Sequence, residues 1–259
     1  MNRLRELLDK KEPTIGTRTV IVWPGLIEVL GYTKQYDYVE FLAEYGAFSL
    51  HDLDNYARAA ELTGLSTMIK LDQEPRTFLA GRALASGIEN FLFADIRKRE
   101  DVEEAVNSVR AEPKGKSGVR LDRRVGYVME KASSKDVVKM SDEAVIGLMI
   151  EKRSAVENLE EILSVKGVDF VQFGPSDYSM SIGIPDQTSD DRVRKAELKT
   201  IKTALDMNIN PRVEINEPQE AKKYVELGVK DFNLNIDLFI LFNWWKKKGS
   251  ELNQILEKT

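Results

Sequence analysis

The chain has 259 residues, and 38 Lys and Arg against 43 Asp and Glu give a formal net charge of −5. This mildly acidic, mixed charge excludes the basic surface by which proteins bind nucleic acids or anionic membranes. The sequence contains no Cys and a single His, His51, which excludes disulfides, zinc–thiolate sites and multi-histidine metal sites.

Short β-rich segments alternate with helical segments along the chain, the pattern of a parallel sheet covered by helices. The predicted strands cover residues 15–23, 38–43, 66–71, 90–94, 145–151, 169–173, 210–215 and 231–235. Eight such strands in about 250 residues are typical of a (β/α)8 barrel. We therefore predict an α/β protein with one TIM-type barrel domain over residues 1–259.

The segments between the strands carry apolar residues at helical spacing, and several end in a glycine. Three helical stripes are Val102, Ala105, Val106 and Val109; Val156, Leu159 and Leu163; and Ala221, Tyr224 and Val225. The helix-closing glycines are Gly31, Gly64, Gly87, Gly167 and Gly228. Residues 112–141 are charged, irregular and too long for a simple connection, so a functional loop or a short extra helix is expected there.

The C-terminal segment, residues 239–259, is unusually apolar for one outer helix. It contains Phe239, Leu241, Phe242, Trp244, Trp245, Leu252, Ile255 and Leu256. Two interpretations stay open, an eighth helix that packs on its own barrel and a helix that packs on a neighbouring subunit. No apolar run reaches the length of a membrane span and the N-terminus is too polar for a signal peptide, so we expect a cytoplasmic protein without membrane contact.

Two carboxylates follow neighbouring predicted strands. Glu151 ends the apolar strand AVIGLMIE, and Asp177 follows the strand DFVQF in the turn Gly174-Pro175-Ser176-Asp177. In (β/α)8 barrels the carboxyl ends of the strands carry the active site, and carboxylates on adjacent strands can share one hard cation such as Mg²⁺ or Mn²⁺. The structural alternatives are a helix cap for Asp177 and a strand-end salt bridge for Glu151.

Three runs of sequence resemble a known enzyme family. They are AEYGAFSLHDLDNYARA, LMIEKRSAVENLEEILSVKGVDFVQFGPSDYSMSIG and EPQEAKKYVELGVKDFNLNID. In this order they resemble the metal-dependent class II 2-oxo acid aldolases of the 4-hydroxy-2-oxoheptanedioate and 2-keto-3-deoxy acid type, from about residue 16 to residue 241. The resemblance implies a barrel whose eighth helix is exchanged between subunits, in a hexamer built as a trimer of dimers.

The resemblance also implies a chemistry and a set of site residues. The family makes or cleaves a carbon–carbon bond next to a pyruvate enolate held on a divalent metal. By this match Glu151 and Asp177 are the metal ligands. The turn of Gly174, Pro175 and Ser176 binds the substrate carboxylate, with Arg120 as a further substrate-binding residue from a partly retained glycine-rich loop.

The sequence departs from the family pattern where the base and the carboxylate-binding residue are expected. Leu42 and Tyr45 stand on either side of Glu44 where the family has Asp and His, and Lys70 stands where the family has Arg. We predict Lys70, Tyr45 and Glu44 as catalytic residues. Alternatives remain: Lys70 as an ion-pair partner of Glu44 or Glu151, or as a Schiff-base nucleophile, and Tyr45 as a wall of the site.

His51 follows in the start of the next helix and is expected at the surface or an interface. Three functions remain open at this point. The leading one is a Mg²⁺- or Mn²⁺-dependent lyase of the aldolase type that acts on a small-molecule 2-oxo acid. The second is a metal-dependent 2-oxo acid decarboxylase, which needs no base to remove a hydroxyl proton. The third is a barrel that binds a ligand without turnover, since the fold alone cannot decide among these functions.

Overall fold

Parallel strands close into a barrel in the order β1 to β8, as the sequence predicts. The computed structural model describes residues 2–129 and 133–257. The strands are β1 (Thr14–Thr19), β2 (Tyr38–Leu42), β3 (Ser66–Leu71), β4 (Asn90–Phe93), β5 (Ile146–Ile150), β6 (Phe170–Phe173), β7 (Asn210–Ile215) and β8 (Asp231–Ile236). Each strand pairs in parallel with its chain neighbours, and β8 pairs with β1.

Helices surround the barrel and connect its strands. In chain order they are α1 (Arg3–Asp9), α2 (Pro24–Tyr32), α3 (Leu50–Thr63), α4 (Arg76–Ser86), α5 (Arg99–Val109), α6 (Ser134–Glu143), α7 (Arg153–Glu157), α8 (Leu159–Leu163), α9 (Pro175–Ser181), α10 (Asp191–Asp206), α11 (Ala221–Val225) and α12 (Asp237–Leu256). The strand side chains alternate, so one set packs against these helices and the other fills the barrel. Tyr38, Met68, Leu92, Met149 and Phe170 are among the apolar residues of the inner set.

The first strand is shorter than predicted. The apolar run continues to Trp23, yet β1 ends at Thr19. The N–H groups of Val20 and Ile21 donate to the carboxylate of Asp237, at 2.9–3.1 Å, and not to a neighbouring strand. Pro24 then begins α2, because proline is well placed in the first turn of a helix.

The predicted helix stripes are mostly correct. The predicted helix-closing glycines are correct at four positions and wrong at one. The stripe of α5 is buried, but the stripe of residues 156–163 lies on two short helices that meet at Asn158. Gly64, Gly87, Gly167 and Gly228 have the expected positive φ. The prediction for Gly31 is wrong, because this residue lies inside α2, where its missing side chain leaves room for Thr63.

The irregular segment of residues 112–141 contains helical structure, which agrees with the expected extra helix. A 3-10 helix covers Arg123–Val128, and α6 begins at Ser134. Arg123 and Arg124 tie this segment to the barrel through ion pairs with Glu61 and Glu89.

The C-terminal helix α12 is not covered by its own barrel. Asp237 is its buried residue, whereas Trp244 and Trp245 are 60% and 61% exposed. Leu238, Phe239, Ile240, Phe242, Leu252, Ile255 and Leu256 are exposed too. The interpretation in which this helix packs on its own barrel is therefore wrong for the single chain. In the part of the chain that is described, no helix is both long and apolar enough to cross a membrane.

Candidate active site

Lys70 lies at the carboxyl end of β3 and is almost enclosed by protein. Its side chain is 6% exposed, and its Nζ lies 2.6 Å from Oε2 of Glu44. The same ammonium donates to the hydroxyl of Tyr45 at 3.1 Å and lies 5.0 Å from the centre of the Tyr45 ring. Glu44 and Tyr45 follow β2, which pairs with β3 through Leu42 and Lys70. The ion pair with Glu44 that the sequence left open is thus present.

The charge states of Lys70 and Tyr45 follow from these neighbours. Burial alone would lower the pKa of Lys70, but the charges of Glu151 and Glu44 outweigh burial and raise it. Burial raises the pKa of Tyr45, and the nearby ammonium offsets this only in part. Lys70 is therefore a cation at neutral pH, which disfavours the neutral amine that a Schiff-base mechanism requires. Tyr45 keeps its proton, so it cannot serve as a ready-made base.

Glu151 follows β5 and is 2% exposed. Its Oε1 accepts a 2.7 Å hydrogen bond from the N–H of Asp95, which follows β4 and has a φ of 58°. A Cβ at position 174 would lie 2.8 Å from Oε2 of Glu151, so only glycine leaves room for this carboxylate. Burial raises the pKa of Glu151, while the charge of Lys70 and the Asp95 N–H counteract burial.

Asp177 stands in the first turn of α9 and is paired with a lysine that follows Glu151 in the chain. Nζ of Lys152 lies 3.2 Å from Oδ1 of Asp177 and 2.9 Å from Oδ1 of Asp95. Asp177 does not cap α9, since its N-cap is Gly174 without a side-chain hydrogen bond. One set of contacts joins Glu44, Tyr45 and Lys70, and a second set joins Asp95, Glu151, Lys152 and Asp177. The charges of Lys70 and Glu151 act on each other across the two sets, and we call these seven residues at the carboxyl end of the barrel the rim cluster.

The turn between β6 and α9 has few free backbone donors. The N–H of Gly174 donates to the carbonyl of Ile150 at 3.1 Å, and Pro175 has no N–H. Ser176 is exposed, and the N–H groups of Ser176 and Asp177 lie in the first helical turn, where no carbonyl of the same helix can accept them. These two donors are the ones that this turn can present to an anion.

Two residues singled out from the sequence lie outside the rim cluster. Arg120 contacts Ser117 in its own segment, and Asp122 and Arg82 are the charged groups that act on it. Burial lowers the pKa of Arg120. His51 is exposed on α3, as expected for a surface residue. Neither residue contacts Lys70, Glu151 or Asp177 in the described part of the chain.

Sequence reasoning missed Asp95 and Lys152. The signal for Asp95 was available, because it follows β4 as Glu151 follows β5, and the same rule applies to both strand ends. The signal for Lys152 was weaker. A lysine beside Glu151 could equally point into solvent, and only the proximity of Asp95 and Asp177 directs it to the rim cluster.

A second polar group lies deeper in the barrel. Nη2 of Arg212 on β7 is 2.6 Å from Oε2 of Glu40 on β2, and both side chains are at most 2% exposed. Nε of Arg212 donates to Gln172 at 2.6 Å, and Gln172 donates to Glu214. We call Glu40, Gln172, Arg212 and Glu214 the interior cluster. Charged residues at alternating strand positions were its signal in the sequence.

The acidic groups of the rim cluster match the ligand chemistry of a hard divalent cation. Glu151 and Asp177 supply carboxylate oxygens, and the charge of Asp177 contributes to the raised pKa of Glu151. Four carboxylates, Glu44, Asp95, Glu151 and Asp177, face three cations, Lys70, Lys152 and Arg97. Among the described residues, no three His, Cys, Asp or Glu side chains form a complete metal site. The residues fit a cation that takes part of its coordination from other molecules.

Comparison with known proteins identifies a matching family and related chains. Residues 29–238 match the family model described as HpcH/HpaI aldolase/citrate lyase. The 4-hydroxy-2-oxo-heptane-1,7-dioate aldolase of Escherichia coli is 29% identical over 160 residues, which cover 60% of this chain and 59% of that protein's length. The hydroxypyruvate/pyruvate aldolase of Roseobacter denitrificans is 22% identical over 98% of each chain.

The fold itself is shared with solved structures. A HpcH/HpaI aldolase/citrate lyase family protein from Burkholderia cenocepacia J2315 superposes with a TM-score of 0.88 at 21% identity, over 98% of this chain and 100% of that one. The expected resemblance to 2-oxo acid aldolases is confirmed, and the matching family is described as one of aldolases and lyases. The chain belongs to the HpcH/HpaI aldolase/citrate lyase family.

Proposed function

We propose that this chain is a divalent-metal-dependent carbon–carbon lyase of the aldolase type that acts on a 2-oxo acid. The observation that carries the proposal is the rim cluster, in which a protonated lysine pairs with Glu44 and is stabilised by the charge of a buried carboxylate, Glu151. The cluster lies at the carboxyl end of the strands, where (β/α)8 enzymes have their active sites. The aldolases that the chain resembles support the choice of reaction.

In this proposal Glu151 and Asp177 hold Mg²⁺ or Mn²⁺. A bound cation would supply Lewis acidity that stabilises negative charge on the 2-oxo group. Lys70 has a role of its own, because its ammonium can bind the substrate carboxylate or the oxygen on which enolate charge develops. Lysine keeps the positive charge of the arginine that the family has at this position. It lacks the bidentate hydrogen-bonding geometry that would fix the orientation of a carboxylate.

Cleavage of a 4-hydroxy-2-oxo acid then follows from the remaining groups. Glu44 accepts the proton of the 4-hydroxyl, the bond between C3 and C4 breaks, and an aldehyde leaves. The electron pair of that bond forms a double bond between C2 and C3, and the carbonyl electron pair moves to the 2-oxo oxygen, where Lys70 stabilises the charge. Glu44 then returns the proton to C3, which completes pyruvate. Tyr45 orients Lys70 through its hydroxyl and forms one wall of the site.

The substrate carboxylate has two further candidate contacts in this proposal. The N–H groups of Ser176 and Asp177 follow Gly174 and Pro175 and point away from their own helix. A substrate-binding role for Arg120 stays a prediction, because this residue contacts Ser117 and not the rim cluster.

We also propose that the protein is a homo-oligomer assembled through α12, with a single barrel domain over residues 1–259. The exposed aromatic and aliphatic side chains of α12 support this assembly, because a large exposed apolar face marks an interaction surface. Light scattering at micromolar concentration tests it, and a stable monomer would contradict it.

A screen of the metal-loaded protein tests the proposed reaction. Pyruvate release from 4-hydroxy-2-oxo acids is measured beside carbon dioxide release from oxaloacetate, with Mg²⁺ and with Mn²⁺. We expect cleavage of the hydroxy acids, and we expect it to be lost in the Glu151→Gln, Asp177→Asn double variant. Decarboxylation of oxaloacetate without any cleavage would instead support the decarboxylase, and the absence of both reactions would support a barrel that only binds ligand.

A further inference from the structure

Lys152 occupies an unusual position beside the proposed cation ligands. Its side chain is 17% exposed, and its ammonium lies between Oδ1 of Asp95 at 2.9 Å and Oδ1 of Asp177 at 3.2 Å. Glu151 directly precedes it in the chain and accepts the N–H of Asp95. Lys152 is thus held against one of the two carboxylates to which the proposed function assigns a divalent cation.

An ammonium and a divalent cation cannot share the same carboxylate oxygen without strong repulsion. The contact between Lys152 and Asp177 must therefore open before a cation can use that oxygen. Asp95 offers Lys152 a second anionic partner at the same place, so the ammonium can leave Asp177 without losing every ion pair. Arg97 also pairs with Asp95, at 3.0 Å, but among the described residues it forms no ion pair with Asp177.

We propose that Lys152 is a built-in competitor of the divalent cation, and that it sets the affinity of the site by occupying Asp177 when the cation is absent. This inference rests on the proposed function, because it assumes that Glu151 and Asp177 bind the cation. It adds a residue that is not itself a ligand. The lysine neutralises one oxygen of Asp177 when the cation is absent, and a cation that uses this oxygen displaces the lysine.

Direct titration with Mn²⁺ tests the inference without reference to activity. Free Mn²⁺ is measured by electron paramagnetic resonance in the wild-type protein and in the Lys152→Met variant. We expect the dissociation constant of Mn²⁺ to fall about tenfold or more in the variant, since the competing charge is gone. We also expect the Lys152→Met variant without Mn²⁺ to melt at a lower temperature than the wild type. Added Mn²⁺ should raise the melting temperature of the variant by more than it raises that of the wild type.

Two matched variants separate contact from overall charge. Arg97→Met removes the same unit of charge beside Asp95 but leaves the Lys152–Asp177 contact intact. Arg153→Met removes one positive charge at the residue that follows Lys152. Arg153 is exposed and pairs with Glu157 at 2.7 Å. We expect both to change the dissociation constant by less than about threefold. Equal tightening in Arg97→Met, or an unchanged or weaker affinity in Lys152→Met, overturns the inference.

The outcomes also separate this inference from the proposed function. Loss of Mn²⁺ binding in the Glu151→Gln, Asp177→Asn double variant, with no effect of Lys152→Met, leaves the proposed site standing and overturns only the role of Lys152. Binding that survives the double variant, or no binding in any variant, overturns both. If Lys152→Met does not fold, judged by circular dichroism, Lys152→Gln replaces it and the same tightening is expected.

Discussion

Two of the ion pairs in the barrel are alike in distance and differ in their surroundings. Arg212 and Glu40 lie 2.6 Å apart in the interior cluster, and Lys70 and Glu44 lie 2.6 Å apart in the rim cluster. Aromatic side chains surround the interior pair, and the guanidinium of Arg212 lies 4.4 Å from the centre of the Phe170 ring. At the rim, Glu44 is 23% exposed and Tyr45 is half exposed.

This difference separates a structural role from a chemical one. A charge that no ligand can reach affects only the stability of the barrel. It can raise or lower that stability, because both members of a buried ion pair lose their hydration. A charge that is buried except toward one opening keeps a strong interaction for whatever enters there. We therefore expect variants of the Arg212–Glu40 pair to change stability, and variants of the rim cluster to change activity more than stability.

The largest effect is expected for Arg212→Met. The variant leaves the carboxylate of Glu40 buried without its cation, which costs about 3–5 kcal/mol of unfolding free energy. Urea unfolding measures the loss, and the Glu40→Gln, Arg212→Met double variant should recover part of it because the uncompensated charge is gone. A single variant within about 1 kcal/mol of the wild type would show that the interior pair does not hold the barrel.

A smaller effect, on activity, is expected for Lys70→Met. Loss of the ammonium should lower kcat/KM for aldol cleavage about 100-fold or more, because the charge that develops on the substrate oxygen loses its partner. Tyr45→Phe is the matched comparison. It removes only the hydroxyl that accepts from Lys70, so we expect a loss of less than about tenfold. Equal losses in the two variants would place the tyrosine in the chemistry itself.

The smallest effect concerns the pH dependence of stability. Asp231 is buried near Arg212, and burial raises its pKa from 3.8 to about 6, although its bond with Thr14 at 2.6 Å opposes the shift. Between these values the folded protein binds more protons than the unfolded chain. Stability should therefore fall as pH rises from about 4 to about 6, by at most about 1.4 kcal/mol per pH unit for this group.

Asp231→Asn should remove that part of the slope, since the amide keeps an oxygen for Thr14 and does not titrate. Urea unfolding between pH 4 and pH 7 compares the two proteins. The same slope in both would mean that Asp231 does not titrate in this range. Activity should change little, because Asp231 lies at the start of β8, away from the rim.

Local patterns predicted most of the barrel and part of the rim cluster. Alternating strand segments and helical stripes are encoded by neighbouring residues, so the strand order and the helix α5 could be read from the sequence. Glu151 and Asp177 could be placed at one rim, because the carboxyl ends of parallel strands lie together, whereas Lys70 was found through the resemblance to the family. The end of β1 could not be predicted, because the N–H groups of Val20 and Ile21 donate to Asp237, which lies more than 200 positions away in the chain.

The sequence by itself determined the strand and helix periods, the acidic balance, the absence of thiol ligands and the strand ends at which chemistry can occur. Only the tertiary structure decided which charges meet. Lys152 reaches Asp95 and Asp177 because β4, β5 and β6 pair side by side, and Arg212 reaches Glu40 because barrel closure brings β7 and β2 together. The tertiary structure also leaves the apolar face of α12 exposed. Periodicity is a property of adjacent residues, whereas these contacts depend on how whole strands are placed in the barrel.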